Sequence, residues 1–144
     1  MESFVTKYAL VVVIAAILVL LLKGDLFSSS PYIIIGQILA IALLLSARAA
    51  FRGSELRTSA NPGSGQLIRK GPYRFIRHPM YAGALLLIVV SVAGHPSLLN
   101  AAIAVIVVCL AFYRISIEER LLLSRYPDYH SYAEETKKVI PFIY

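Results

Sequence analysis

Residues 98–126 read LLNAAIAVIVVCLAFYRISIEERLLLSRY. From Leu98 to Tyr113 there is no charge, and neither Gly nor Pro interrupts the run before Pro127. The helix that starts near Leu98 is therefore expected to run on past Arg114 and Glu118 into Tyr126. Such a helix has an apolar body and an ionisable end, which suits a segment that passes through a hydrocarbon layer roughly 30 Å thick and emerges at its polar boundary.

Three more apolar stretches precede it: Tyr8 to Leu22, Pro31 to Ala47 and Met80 to Ala93, each bounded by charge or by Gly, Pro and Ser. Composition agrees with lipid as the solvent. Of the 144 residues 58% are hydrophobic and 15% charged, where a soluble domain carries about 25% charge, and the mean hydropathy is +0.73. A disordered chain is excluded and a soluble domain disfavoured. Taken strictly the four stretches span about 21–26 Å, so their ends must extend. The first gains its length from Phe4 to Lys23, while for the third a tilted or partly re-entrant course is the alternative. The expected architecture is all-α, one domain over residues 1–144, a polytopic membrane protein with four transmembrane helices and a cytoplasmic interfacial C-terminal helix and tail. A cleavable signal peptide competes for the first stretch, but no small-x-small site follows Leu22 before Lys23-Gly24-Asp25.

Fourteen Lys and Arg against eight Asp and Glu give a net charge of +6. Seven of the basic residues (Arg48, Arg52, Arg57, Arg69, Lys70, Arg74, Arg77) lie between the second and third stretches with one acid, Glu55. The positive-inside rule makes this loop cytoplasmic. Four spans then put both termini and any site on the cytoplasmic side, in the plasma (inner) membrane if the source is prokaryotic, and leave the turns Lys23 to Ser30 and Gly94 to Leu98 outside. Lipid headgroups account for the charge, and no zinc-finger, RRM or helix-turn-helix pattern points to nucleic acid. With no internal repeat, an inverted-repeat transporter is not suggested. The single cysteine, Cys109, has no partner for a disulfide or a Cys/His zinc site and reads as a buried small hydrophobe.

Three polar strings stand out. Gly71-Pro72-Tyr73-Arg74-Phe75-Ile76-Arg77-His78-Pro79-Met80-Tyr81-Ala82-Gly83 opens the third apolar stretch. Pro79 suits a first helical turn and keeps His78 extended, just ahead of the helix, where it can face an anion or simply anchor a headgroup. Arg114-Ile115-Ser116-Ile117-Glu118-Glu119-Arg120 ends the fourth. There Arg114 and Glu118 share a helix face while Glu119 points about 100° away, either as a ligand site or as surface ion pairs. Finally Tyr126, Tyr129 and Tyr132 recur every third residue ahead of Ile140-Pro141-Phe142-Ile143. This suggests an amphipathic interfacial helix and an extended tail and, taken alone, surface packing. His130 has no ligand-spaced companion and His95 sits in an outer turn, so neither is assigned to chemistry.

Together these strings resemble the isoprenylcysteine carboxyl methyltransferase and phospholipid methyltransferase superfamily of integral membrane enzymes, over roughly Gln66 to Ile143. The resemblance implies methyl transfer from S-adenosyl-L-methionine, with S-adenosylhomocysteine as product, in a cytoplasm-facing pocket of the two C-terminal membrane helices and the tail (about 66–143). It assigns cofactor contacts to Tyr73, His78, Pro79, Met80, Tyr81 and Glu118, the last as partner of the amino group, and nucleoside-lining backbone to Gln66, Leu67 and Ile68. Arg114 takes the place of the arginine that faces and positions the substrate. The acceptor implied is a lipophilic small molecule or lipidated substrate drawn from the bilayer: an isoprenylcysteine-like carboxylate, a thiol or a phospholipid amine. The chain departs from many relatives in having fewer helices, no tryptophan, and Ala84 where a second aromatic follows the Tyr-x-Gly, which leaves the acceptor open. Two readings from other classes stand beside the enzyme: a catalytically silent membrane binding or assembly protein of the same fold, and a small four-helix transporter. The transporter would need an intramembrane carboxylate, and the first three apolar stretches have none.

Overall fold

In a computed structural model the described residues form five α-helices: α1 (Glu2–Leu22), α2 (Pro31–Ala50), α3 (Pro79–Gly94), α4 (Leu98–Arg125) and α5 (Tyr129–Glu135), with a 3₁₀ turn over Gly71–Arg74. The structure describes residues 2–50 and 67–140. Arg52, Glu55, Arg57, Gln66 and the Pro141-Phe142-Ile143 end of the tail, all named above, lie outside the described residues. Among the described residues there is no strand, only an isolated parallel bridge between Ile76 and Lys137.

The long fourth helix is as expected. It starts on Ser97, whose hydroxyl accepts from Asn100 N–H at 3.1 Å as an N-cap, and it ends at Arg125 with Tyr126 as C-cap. Helices α2 and α4 are each long and apolar enough to cross a membrane; α3, of 16 residues, and the described portion Val11–Leu22 of α1 are apolar but shorter. Large aliphatic side chains lie exposed on α1, α2 and the first part of α4: Val11 is 59% exposed, Ile35 56% and Val105 62%. Aliphatic surface on three helices at once would be unfavourable in water and is neutral in lipid.

With no hydrophobic drive between helices in lipid, association rests on close packing of small residues. Helices α2 and α3 pack most extensively, and their contacts run through Gly36 against Val90 and Gly83 against Ala40 and Leu44. A Cβ on Gly83 would lie 2.7 Å from Leu44 Cγ and 3.0 Å from the Ala40 carbonyl oxygen. Buried Gln37 donates to the Leu26 carbonyl at 2.7 Å and to Ser91 Oγ at 3.1 Å, tying α2 to α3 and to the first turn. Helix α4 packs on α3 and α1 around Ala16, Leu20, Leu26, Ile88 and Val107.

At one end of the bundle the two short turns are joined by polar bonds. Fully buried Asn100 donates to Asp25 and to the His95 carbonyl and accepts from Lys23, while Lys23 also pairs with Asp25 at 2.7 Å. The Lys23 ammonium holds the Asp25 carboxyl below its usual value. The other end gathers the 3₁₀ turn, the start of α3, the end of α4 and α5. One expectation is corrected: Cys109 is exposed, because its position on α4 faces away from α1 and α3.

Candidate functional site

Pro79, fully buried, begins α3, and His78 is its N-cap residue with φ −122° and ψ 56°. Proline has no N–H to orphan at a first turn, so the helix starts there without loss. The His78 N–H is instead bonded to the Lys138 carbonyl at 3.0 Å, and Arg77 N–H to the Lys137 carbonyl at 2.7 Å, so the tail runs along the residues before α3. This docking buries His78, which is 5% exposed.

Two carboxylates from the end of α4 meet this corner. Tyr81, two residues into α3, donates to Glu118 Oε1 at 2.5 Å, and Arg114 Nε donates to the Tyr81 oxygen at 3.0 Å. Arg114 also pairs with Glu118 Oε1 at 3.6 Å, one turn away on the same helix face. Glu118 Oε2 faces His78 Nδ1 at 3.7 Å, too far for a hydrogen bond. Glu119 differs in kind. Its Oε1 alone accepts from Arg77 Nε at 2.9 Å, His78 Nε2 at 2.8 Å and Tyr129 Oη at 2.7 Å.

Two of the three tail tyrosines, Tyr129 and Tyr132, are core residues here rather than surface packing, while Tyr126 is half-buried. Tyr129 and Tyr132 are 1% and 3% exposed, and Tyr132 donates to the Tyr73 carbonyl at 2.7 Å. A three-residue spacing on a helix of seven residues points both rings inward, edge to face at 5.8 Å. Burial pushes the Tyr132 hydroxyl up to about 12. It raises Tyr73 and Tyr129 as well, with the Glu119 charge adding to the effect on Tyr129. All three hydroxyls are neutral at physiological pH, and those of Tyr129 and Tyr132 donate. Arg77 closes the corner by donating to the Ala133 and Thr136 carbonyls, which satisfies the end of α5.

Of the candidate residues, His78, Tyr81, Arg114 and Glu118 form one connected set. Tyr73, Ile68 and Met80 form a neighbouring apolar group against Ala47 and Ala50 at the end of α2, with Leu67 half-buried beside Ile68. Pro79 shapes the corner without a polar contribution, and Gln66 lies outside the described residues. Arg114 is 9% exposed. Sequence reasoning passed over Glu119, Arg77 and Tyr129. The doubled glutamate was the available signal, since two adjacent carboxylates on a helix leaving an apolar run need two separate sets of donors.

A model of the isoprenylcysteine carboxyl methyltransferase (ICMT) family matches residues 27–124. The chain belongs to the isoprenylcysteine carboxyl methyltransferase family. Neither a curated protein nor a solved structure matches it. The ICMT match takes in α2, the 3₁₀ turn, α3 and nearly all of α4. It begins earlier than the resemblance read at Gln66 and stops short of the tyrosine tail, so α5 and its bonds to Glu119 lie beyond the matched part. Family and apolar helices together make this a membrane protein of methyltransferase type.

Proposed function

We propose that the protein transfers a methyl group from S-adenosyl-L-methionine to a lipophilic acceptor drawn laterally from the bilayer: an isoprenylcysteine-like carboxylate, a thiol or a phospholipid amine. In this reading α1 to α4 all span, and both termini and the site face the cytoplasm. Arg48, Arg69, Lys70, Arg74, Arg120 and Arg125 crowd that end, while the opposite turns carry Lys23 balanced by Asp25, which is the asymmetry the positive-inside rule expects.

The observation that carries the reading is the unequal use of the two carboxylates. Glu119 Oε1 is saturated by three donors. Glu118 has Oε2 directed at His78 Nδ1 across 3.7 Å without a bond, and its side chain is 19% exposed. A carboxylate with an unused oxygen beside a histidine nitrogen is the acceptor set an amino acid ammonium requires, so the residues present fit the cofactor. When bound, the cofactor supplies an electrophilic methyl on a sulfonium. The chain's own part is to bind, orient and exclude water. Glu118 holds the ammonium end; Tyr73, Ile68 and Met80 offer an apolar wall; Arg114, at the membrane boundary, orients an acceptor that carries negative charge.

Calorimetric titration of the detergent-purified protein with S-adenosylhomocysteine, beside Glu118→Ala, tests this. Micromolar binding that the variant loses is expected, followed by methyl transfer to one of the three acceptor classes. Absence of binding in a monodisperse, helical sample would overturn the reading.

A further inference from the structure

The unexpected feature of the corner is that three donors from two separate segments, the residues just before α3 and α5, converge on a single oxygen. Arg77 precedes α3, His78 caps it and Tyr129 belongs to α5, yet all three donate to Glu119 Oε1 at 2.7–2.9 Å. A carboxylate oxygen can only accept, so the hydrogen between His78 and Glu119 sits on Nε2. Arg77 and Tyr129 in turn allow Glu119 little freedom, because Arg77 is itself held by the Ala133 and Thr136 carbonyls and Tyr129 is fully buried. The imidazole is thereby fixed in both orientation and tautomer, and its second nitrogen, Nδ1, is directed at Glu118 Oε2.

We infer that Glu119 is a positioning residue: with Arg77 and Tyr129 it locks His78 as the Nε2–H form, so that His78 Nδ1 and Glu118 Oε2 make a two-acceptor seat for one ammonium group. This rests on the methyltransferase reading above for the identity of the ammonium, but the lock on His78 exists without it. The gap of 3.7 Å suits a nitrogen bridging both acceptors, since each can then receive its own N–H at ordinary length. The arrangement also assigns work to the C-terminal segment. Lys138 bonds the His78 N–H and Tyr129 bonds Glu119, so the seat is complete only when the tail is docked. In metal sites, outer groups that orient a ligating histidine typically affect affinity 10- to 100-fold when removed, and the same logic applies to an ammonium.

The test combines nitrogen NMR of ¹⁵N-histidine-labelled protein, with His95→Gln and His130→Gln for assignment, and S-adenosylhomocysteine titration. In the unliganded wild type, His78 is expected to carry its proton on Nε2, and ligand addition should shift Nδ1 while leaving Nε2–H in place. Glu119→Gln should give mixed tautomers and weaken S-adenosylhomocysteine binding by about 10- to 100-fold, in a protein whose melting still shows a folded bundle. A merely structural Glu119 would not alter the tautomer. An Nδ1–H form in the wild type, or a folded Glu119→Gln protein with unchanged tautomer and affinity, overturns the inference while the methyltransferase reading survives. If the wild type shows the Nε2–H form but binds no S-adenosylhomocysteine, the seat falls together with that reading and only the lock remains. Should Glu119→Gln fail to fold, the ligand-induced shift in the wild type decides: movement at Nε2 rather than Nδ1 overturns the inference.

Discussion

Tyr81 and Glu118, 37 residues apart, share a hydrogen bond of 2.5 Å that joins the first turn of α3 to the charged end of α4. The same phenol oxygen accepts from Arg114 Nε at 3.0 Å, so one hydroxyl mediates between a carboxylate and a guanidinium. Tyr81→Phe keeps the ring and removes the mediator. Arg114 Nε then loses its acceptor and Glu118 a donor, a loss of about 1–3 kcal/mol for groups so little exposed. A lower melting temperature in detergent is expected, and S-adenosylhomocysteine affinity should fall with it. An unchanged melt would show that water replaces the hydroxyl.

Gly83 leaves no room for a side chain between α3 and α2. Gly83→Ala sets a methyl 2.7 Å from Leu44 Cγ and 3.0 Å from a backbone oxygen that cannot move alone. The helices must separate, at about 1–3 kcal/mol. Gly24→Ala is the contrasting case: nothing lies within 4 Å, and the effect is backbone strain at φ +75°, about 1–2 kcal/mol. Thermal unfolding should find both variants less stable, with loosened α2–α3 packing, read by cross-linking between the two helices, only for Gly83→Ala.

Gln37 is 4% exposed and bonds both Leu26 and Ser91. Hydrogen bonds between helices in membranes average about 0.6 kcal/mol and reach about 1.7. Gln37→Leu should therefore destabilise modestly in a chemical unfolding series, less than Gly83→Ala, because the unfolded chain in a membrane also finds partners.

Alkali should undock the tail. Burial raises Tyr132 from 10.0 to about 12, and Tyr73 and Tyr129 are raised in the same direction. A group whose folded value exceeds its unfolded one gives stability that is whole below the unfolded value and disappears as pH rises through the folded one. The docked tail is expected to be unaffected up to about pH 10 and to be lost progressively through about pH 12. Tyrosinate absorbance, followed beside helical circular dichroism, reads this. Ionisation of these three phenols near their ordinary value would show that they are not buried.

Much of the architecture was legible in the residues. An uninterrupted apolar run with a charged end predicted a helix through Glu118 toward Tyr126, and α4 ends at Arg125. Pro79 predicted a helix start with His78 ahead of it, as found, although His78 at ψ 56° is not extended as expected. Both follow from local rules, proline geometry and continuity of pattern, which need no knowledge of neighbours. Cys109 was misjudged for the same reason: an apolar run that faces lipid looks identical to one that faces protein, and periodicity gives no contrast when every side is apolar.

Composition and order of residues determined that this chain is helical, suited to lipid, basic at one end, and similar to membrane methyltransferases, since solvent preference and helix boundaries are properties of contiguous segments. The pairing of charges was not available there. Glu118 and Glu119 are neighbours in the chain, yet one meets Tyr81 and Arg114 and the other Arg77, His78 and Tyr129. Adjacent positions on a helix point about 100° apart, and what each then meets depends on how α3 and the tail are brought against α4. Those contacts join residues up to 42 positions apart, so only packing in three dimensions could assign one glutamate as a lock and leave the other with an oxygen to spare.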